Sequence, residues 1–207
     1  MKKHESTWSV ARYVILGLVV LAAGGAWALW GGDIRAYFTR EAMVKAFEGR
    51  EKEFYDQAEG VFKECTGTGK VTPDARRAGK AVWIRARLLP RSNRFEMNLD
   101  IDPSAGHLAE ELRAERPEDV RSVVLLYPKS GRVGEYVPKD GSSTVVSQTA
   151  YEERVDVRIV DLQKHAVLGH KVFTFSPKHE ITHSSERFEV LDMGQVLAWY
   201  AGLPEAP

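Results

Sequence analysis

The chain has 207 residues, with 29 Lys plus Arg against 29 Asp plus Glu and no formal net charge. That balance lacks the basic footprint of a nucleic-acid binder, so no nucleic-acid partner is expected. The single cysteine, Cys65, excludes an internal disulfide and leaves packing to hold the fold.

Near the amino end, Tyr13 to Trp30 reads YVILGLVVLAAGGAWALW, without one charge. A bilayer core needs about 20 apolar residues in a helix, and Gly31 and Gly32 extend the run as a neutral flank. Trp8 and Tyr13 stand at one end, Trp27 and Trp30 at the other, where amphipathic rings favour the membrane interface. The spacing predicts a transmembrane anchor in contact with the lipid bilayer. A cleaved signal peptide is the competing reading, with Lys2, Lys3 and Arg12 as its charged start and Ala26-Trp27-Ala28 as a small-x-small cleavage site. Lys2, Lys3 and Arg12 precede the span and Arg35, Arg40, Lys45 and Arg50 follow it, so the positive-inside tally is nearly even. Charges ahead of the first apolar segment favour an inside amino terminus. The expectation is a single-pass protein of a bacterial inner membrane, its carboxy-terminal domain outside the cytoplasm. Residues 1–32 are then tail and anchor, 33–69 a juxtamembrane amphipathic helix and turn, and 70–207 one domain.

Asp33 to Lys63 contains no proline, and Gly49 is its early weak point. Tyr37, Val44, Phe47, Phe54, Ala58 and Val61 recur at three- and four-residue steps, the period of an amphipathic helix. Unbroken, it would reach roughly 45 Å from the membrane at 1.5 Å per residue. Its stripe either packs on the protein's own domain or forms a short parallel coiled coil, although Arg40 and Glu51 fall on seam positions. With Gly17, Gly24 and Gly25 in the span, the second option makes a weak homodimer. Thr66-Gly67-Thr68-Gly69 should stop the helix.

From Gly79 the period becomes two. Val82, Ile84, Ala86 and Leu88 alternate with Trp83, Arg85 and Arg87. After the turn at Pro90 to Asn93, Phe95, Met97, Leu99 and Ile101 alternate with polar residues. This predicts two strands, each with one apolar face. Gly106 to Ala114 reads as a short helix, Ser122 to Tyr127 as a buried strand, Lys129 to Gly131 as a turn and Arg132 to Val137 as a second short strand. Tyr151 to Val160 and Ala166 to Phe175 form the clearest hairpin. Asp192 is placed to cap a last helix that Gly202 and Pro204 end. Adjacent strands with few crossover helices predict an α+β fold with a mainly antiparallel sheet and short helices.

Few residues suggest chemistry. His179-Glu180-Ile181-Thr182-His183 matches H-E-x-x-H, which on a helix puts two imidazoles on one face for zinc and leaves Glu180 to act on a bound water. Weak helix formers and the absence of a following apolar face argue against that helix, so no metal or other cofactor is expected and a zinc hydrolase is the alternative. Cys65 to Lys70 fails as a phosphate loop, because Glu64 stands where a glycine is needed and Val71 follows the lysine. It fails equally as half a zinc knuckle, since no second cysteine exists. Cys65 reads as a partly buried thiol beside a helix end, His165 and His170 as surface groups on the last hairpin, and Asp100 and Asp102 as solvated carboxylates.

His107 to Ser122 reads HLAEELRAERPEDVRS and runs on as VVLLYPKSGRVGEY. Val155 to Phe173 reads VDVRIVDLQKHAVLGHKVF, and VLAWYAGLP ends at Pro204. Together these resemble an uncharacterised bacterial family with an L-P-x-x-L-R-A-x-x-P-E-E-V segment, a V-G-x-Y strand and a V-T-V-I-D-L hairpin. The resemblance spans about Gly79 to Pro204. Ala109 stands where that family has proline, and no cysteine precedes the Val155 strand. It implies a domain beginning near Gly79 and supplies no catalytic residue. The leading expectation for the whole chain is a membrane-tethered, non-catalytic binding or assembly domain.

Overall fold

A computed structural model describes residues 37–67, 74–91, 94–136, 148–176 and 192–207. The predicted span, Tyr13 to Trp30, and the motif His179 to His183 lie outside the described residues. Among the described residues no helix is long and apolar enough to cross a membrane.

The fold is α+β. Five strands, β1 (Ala81–Arg91), β2 (Arg94–Ile101), β3 (Ser122–Tyr136), β4 (Gln148–Asp161) and β5 (Ala166–Phe175), form one sheet in the order β2-β1-β3-β4-β5. Three of its four pairings are antiparallel. The fourth is parallel and short, joining Ala81–Arg85 of β1 to Ser122–Leu126 of β3. The helices are α1 (37–47), α2 (Glu51–Gly67) and α3 (Met193–Ala201).

Around the parallel segment both faces of the sheet are buried. On one face Val82, Ile84, Ile101, Val123, Leu125, Val160 and Val167 meet Phe47 of α1 and Phe54, Ala58, Val61 and Cys65 of α2. On the other, Trp83, Val124, Leu126, Val157 and Ile159 meet Val196 and Tyr200 of α3. Trp83 and Tyr200 pack edge to face, their ring centroids 5.1 Å apart. The expectation of one apolar face per strand therefore fails for β1: Trp83 is as fully buried as Val82. Alternation reports a half-buried strand, whereas a central strand covered on both sides uses every position.

The long amphipathic helix is two helices. The chain turns at Glu48–Arg50, where Gly49 takes φ 77°, a left-handed conformation that glycine adopts without strain. Arg50 N–H bonds back to the Phe47 carbonyl at 2.9 Å, and Phe47 meets Phe54 across the break with centroids 5.7 Å apart. Seventeen residues make a marginal helix in isolation. Tertiary contact completes α2, because its stripe lies on the sheet. A coiled-coil seam through Phe54, Ala58 and Val61 is thus already occupied by the protein's own core, the intramolecular packing foreseen as one of two options.

Two further elements differ from expectation. Gly106 to Ala114 is not an α-helix. A 3-10 turn, Pro103–His107, is capped by Asp102, whose carboxylate accepts from Ser104 N–H at 2.9 Å. The backbone beyond pairs with β1 instead: Ala81 N–H donates to the Leu112 carbonyl at 3.1 Å and Ala114 N–H to the Ala81 carbonyl at 2.9 Å. Those groups cannot also close helical turns. Likewise Ser122–Tyr136 is one strand rather than two, because β4 pairs along its length with a register shift between Arg132 and Gly134. The β4–β5 hairpin and α3 match expectation, and Asp192 caps α3 by accepting from Gly194 N–H at 3.0 Å.

Two substitutions on α2 test this packing. Phe54→Glu should destabilise the protein by several kcal/mol, since the carboxylate would enter a buried apolar face and Arg50, 5.3 Å from the Phe54 ring centroid, is already paired with Glu53. Gly60 sits in the exposed helix interior, with open space where a methyl group would project. Gly60→Ala should therefore stabilise by about 0.5–1 kcal/mol. Urea unfolding followed by circular dichroism measures both.

Candidate functional site

Two polar regions stand out, and they differ in whether their groups are already committed. The first fastens α2 to β3 and β4. Arg158 of β4 places its guanidinium 4.2 Å from the Phe62 ring centroid and 4.3 Å from that of Tyr127. It donates to Glu59 at 3.0 Å and to Asp156 at 3.0 Å. Tyr127 Oη donates to the same Glu59 oxygen at 2.7 Å, and His170 Nε2 lies 2.8 Å from Asp156 Oδ1. Burial, with hydrogen bonds to Tyr55 and Glu59, drives the Tyr127 phenol above its ordinary range. Burial pulls on Arg158 in the opposite sense, but Asp156, Tyr127 and Glu59 outweigh it and hold the guanidinium charged. Every carboxylate in this cluster has a cationic or phenolic partner. It is a helix clamp.

The second region is a cleft. Beyond Arg85 and Leu126, β1 and β3 no longer pair. The β1–β2 hairpin goes one way and the β3–β4 ladder the other, leaving a cleft of about 820 Å³ between them. Proline explains the separation. Pro128 follows Leu126 by two residues on β3, and Pro90 lies farther along β1; neither can donate to a ladder.

Hydrogen bonds at the root of the cleft fix which backbone groups face it. Asp102 N–H donates to the Trp83 carbonyl at 2.9 Å, so odd-numbered β1 residues turn toward β2 and even-numbered ones toward β3. Ser122 N–H donates to the Lys80 carbonyl at 3.2 Å, which gives β3 the complementary phase. Leu88 and Ser130 therefore point both N–H and C=O into the gap, with no ladder partner among the described residues.

The walls combine apolar and cationic side chains. Leu88, 61 % exposed, stands opposite Met97, 42 % exposed, in the β1–β2 ladder. Lys129 stands opposite Arg154 in the β3–β4 ladder. Arg85 is neutralised by Asp102 and Arg154 by Glu152. Arg87 and Lys129 make no ion pair among the described residues, and Glu153 is the one acid lining the cleft. A smaller hollow of about 480 Å³ lies between α1 and the 3-10 turn, touching Arg40, Arg85 and His107.

The residues singled out by sequence do not converge. Cys65 is buried at the end of α2, its Sγ 3.6 Å from the His165 carbonyl oxygen. His165 forms the tip of the β4–β5 hairpin with φ 47°, His107 ends the 3-10 turn, and His170 belongs to the clamp. Asp102 is not solvated: it is fully buried, pairs with Arg85 and caps the turn, whereas Asp100 accepts from Asn98 at 2.6 Å on the surface. Among the described residues no three His, Cys, Asp or Glu side chains gather closely enough to hold a metal. His179, Glu180 and His183 lie outside the described residues. Sequence reading missed Arg87, Leu88, Met97, Lys129 and Ser130 as a group. The available signal was a proline within each of two strand-like runs.

Compared with family models, curated proteins and solved structures, the chain finds no match in any of the three.

The buried phenols make alkaline stability a test of the surroundings assigned to Tyr127 and Tyr200. Burial pushes Tyr200 up to about 12, against about 10 for an unfolded tyrosine. Both phenols are raised, so folding should be insensitive to them below the unfolded value and weaken as pH rises from about 10, by up to about 1.4 kcal/mol per pH unit for each. Phenolate absorbance during an alkaline titration should show two of the seven tyrosines ionising only as the protein unfolds. Tyr127→Phe and Tyr200→Phe should each remove one of the two.

Proposed function

We propose that this chain is a membrane-tethered, non-catalytic binding module that uses the β1–β3 cleft as its binding site. Tyr13 to Trp30 is the anchor, the amino terminus lies inside, and the α+β domain stands outside the cytoplasm of a bacterial cell. The single observation that carries the reading is the split sheet. It opens a cleft of about 820 Å³ whose walls hold exposed apolar side chains and, among the described residues, cations without an ion pair and backbone groups without a ladder partner. Such a mixture of apolar surface and a few placed polar groups is what a binding site requires. The described titratable groups support a binding role over catalysis, because the clamp carboxylates are paired with Arg158, Tyr127 and His170 and the histidines are scattered. The resemblance to an uncharacterised bacterial family over Gly79 to Pro204 fits one domain and adds no activity.

A zinc-dependent hydrolase using His179, Glu180 and His183 is the competing reading, carried by the spacing of that motif. Photo-crosslinking in the native membrane, together with metal analysis, decides between them. A photoreactive residue at Met97 should form an adduct that Leu88→Asp abolishes, while the same probe at Val172, exposed on β5, should form none. Stoichiometric zinc in the purified full chain, lost in His183→Ala, would overturn the binding reading in favour of the hydrolase.

A further inference from the structure

Resting on the cleft as a binding site, we infer that its occupant is an extended segment of a partner protein that carries both acidic and apolar side chains. Three observations converge on that class.

The first is the backbone. Leu88 and Ser130 face each other across the cleft with N–H and C=O groups that have no ladder partner among the described residues, a phase set by the bonds at Trp83 and Ser122. An extended peptide has donors and acceptors in alternation along both edges and can satisfy both walls at once. A lipid acyl chain would displace water from those groups and return nothing, which is costly for each group left unpaired. The prolines limit the match. Pro90 and Pro128 offer only carbonyls, so the guest makes a few main-chain bonds and the cleft does not recruit strands indiscriminately.

The second is charge. The chain as a whole is neutral, yet among the described residues four cationic side chains and one acid line the cleft. Two of the four are already paired, which leaves Arg87 and Lys129 to meet carboxylates on the guest. Complementary charge of this kind selects partners and steers their approach.

The third is the side-chain phase. In a strand successive side chains point to opposite faces. Leu88, Met97 and Lys129 share the face that carries α2, while Arg87 and Leu89 share the other. Each face thus offers an apolar and a cationic group. A guest strand fits best with an apolar and an acidic side chain on each of its own faces, a pattern of leucine-like and acidic residues in successive pairs.

Fluorescence anisotropy on the full chain in zwitterionic nanodiscs tests this. The probe is a labelled octapeptide of alternating pairs of leucines and aspartates. Controls replace its aspartates with asparagines or with lysines. The acidic peptide should bind at least about tenfold more tightly than the neutral one, and salt should weaken it. The double variant Arg87→Glu/Lys129→Glu should lose acidic-peptide binding about tenfold and gain affinity for the lysine peptide. Both side chains are exposed, so folding should survive, and Lys52→Glu on the outer side of α2 should change nothing. Equal binding of acidic and neutral peptides would overturn the acidic class while sparing the cleft. Binding of labelled phosphatidylglycerol vesicles, with no peptide binding, would overturn the peptide in favour of an anionic lipid. Failure of every probe, with no crosslink from Met97, would sink the cleft as a binding site.

Discussion

Five residues of parallel pairing, Ala81–Arg85 against Ser122–Leu126, hold the rest of this structure in place. They sit at the centre of the sheet and carry its most deeply buried side chains: Val82, Trp83, Ile84, Val123, Val124 and Leu125 have no exposed surface. A parallel pair needs a crossover connection, and here that connection is a hairpin strand and two 3-10 turns. The turns fold under the sheet because Asp102 and the backbone of Leu112 and Ala114 bond to Ser104, Arg85 and Ala81. The same short register has an upper limit, set where Pro128 can no longer donate to β1. Below that limit the sheet is continuous and covered on both faces. Above it the sheet forks.

The fork and the clamp share a residue. Tyr127 is the β3 residue at the fork, and its phenol hydrogen-bonds Glu59 while its ring covers Arg158. The clamp thereby fixes one wall of the cleft to α2. A guanidinium between two aromatic faces and two carboxylates is rigid, because stacking and hydrogen bonds constrain it along different directions. The opposite wall, the β1–β2 hairpin, exposes Leu88 and Met97.

Some of this was readable in the amino-acid order. The hairpin of β4 and β5, the Asp192 cap and the stripe along α2 are local patterns, in which each residue's neighbours in sequence are also its neighbours in space. Gly49 was visible as a weak point, but whether the helix bends there depends on what Phe47 and Phe54 touch. Trp83 and Asp102 were misjudged for one shared reason. Their surroundings come from α3 and from Arg85 on the adjacent strand, and no periodicity within one strand reports on what lies across the sheet. The cleft escaped for the same reason: Leu88 and Lys129 lie far apart in sequence and line one cleft from opposite walls only because the parallel register brings β1 beside β3.

Sequence alone therefore determined the chain's balanced charge, its long uncharged run, its α+β class and its elements of local period, since these follow from residue type and spacing. Tertiary structure alone decided that α2 belongs to the core, that the acids near Arg158 are committed to a clamp, and that β1 and β3 part at Leu126. The physical reason is that burial and ladder pairing are set by partners distant in the chain. A proline's missing N–H matters only once the strand it faces is known.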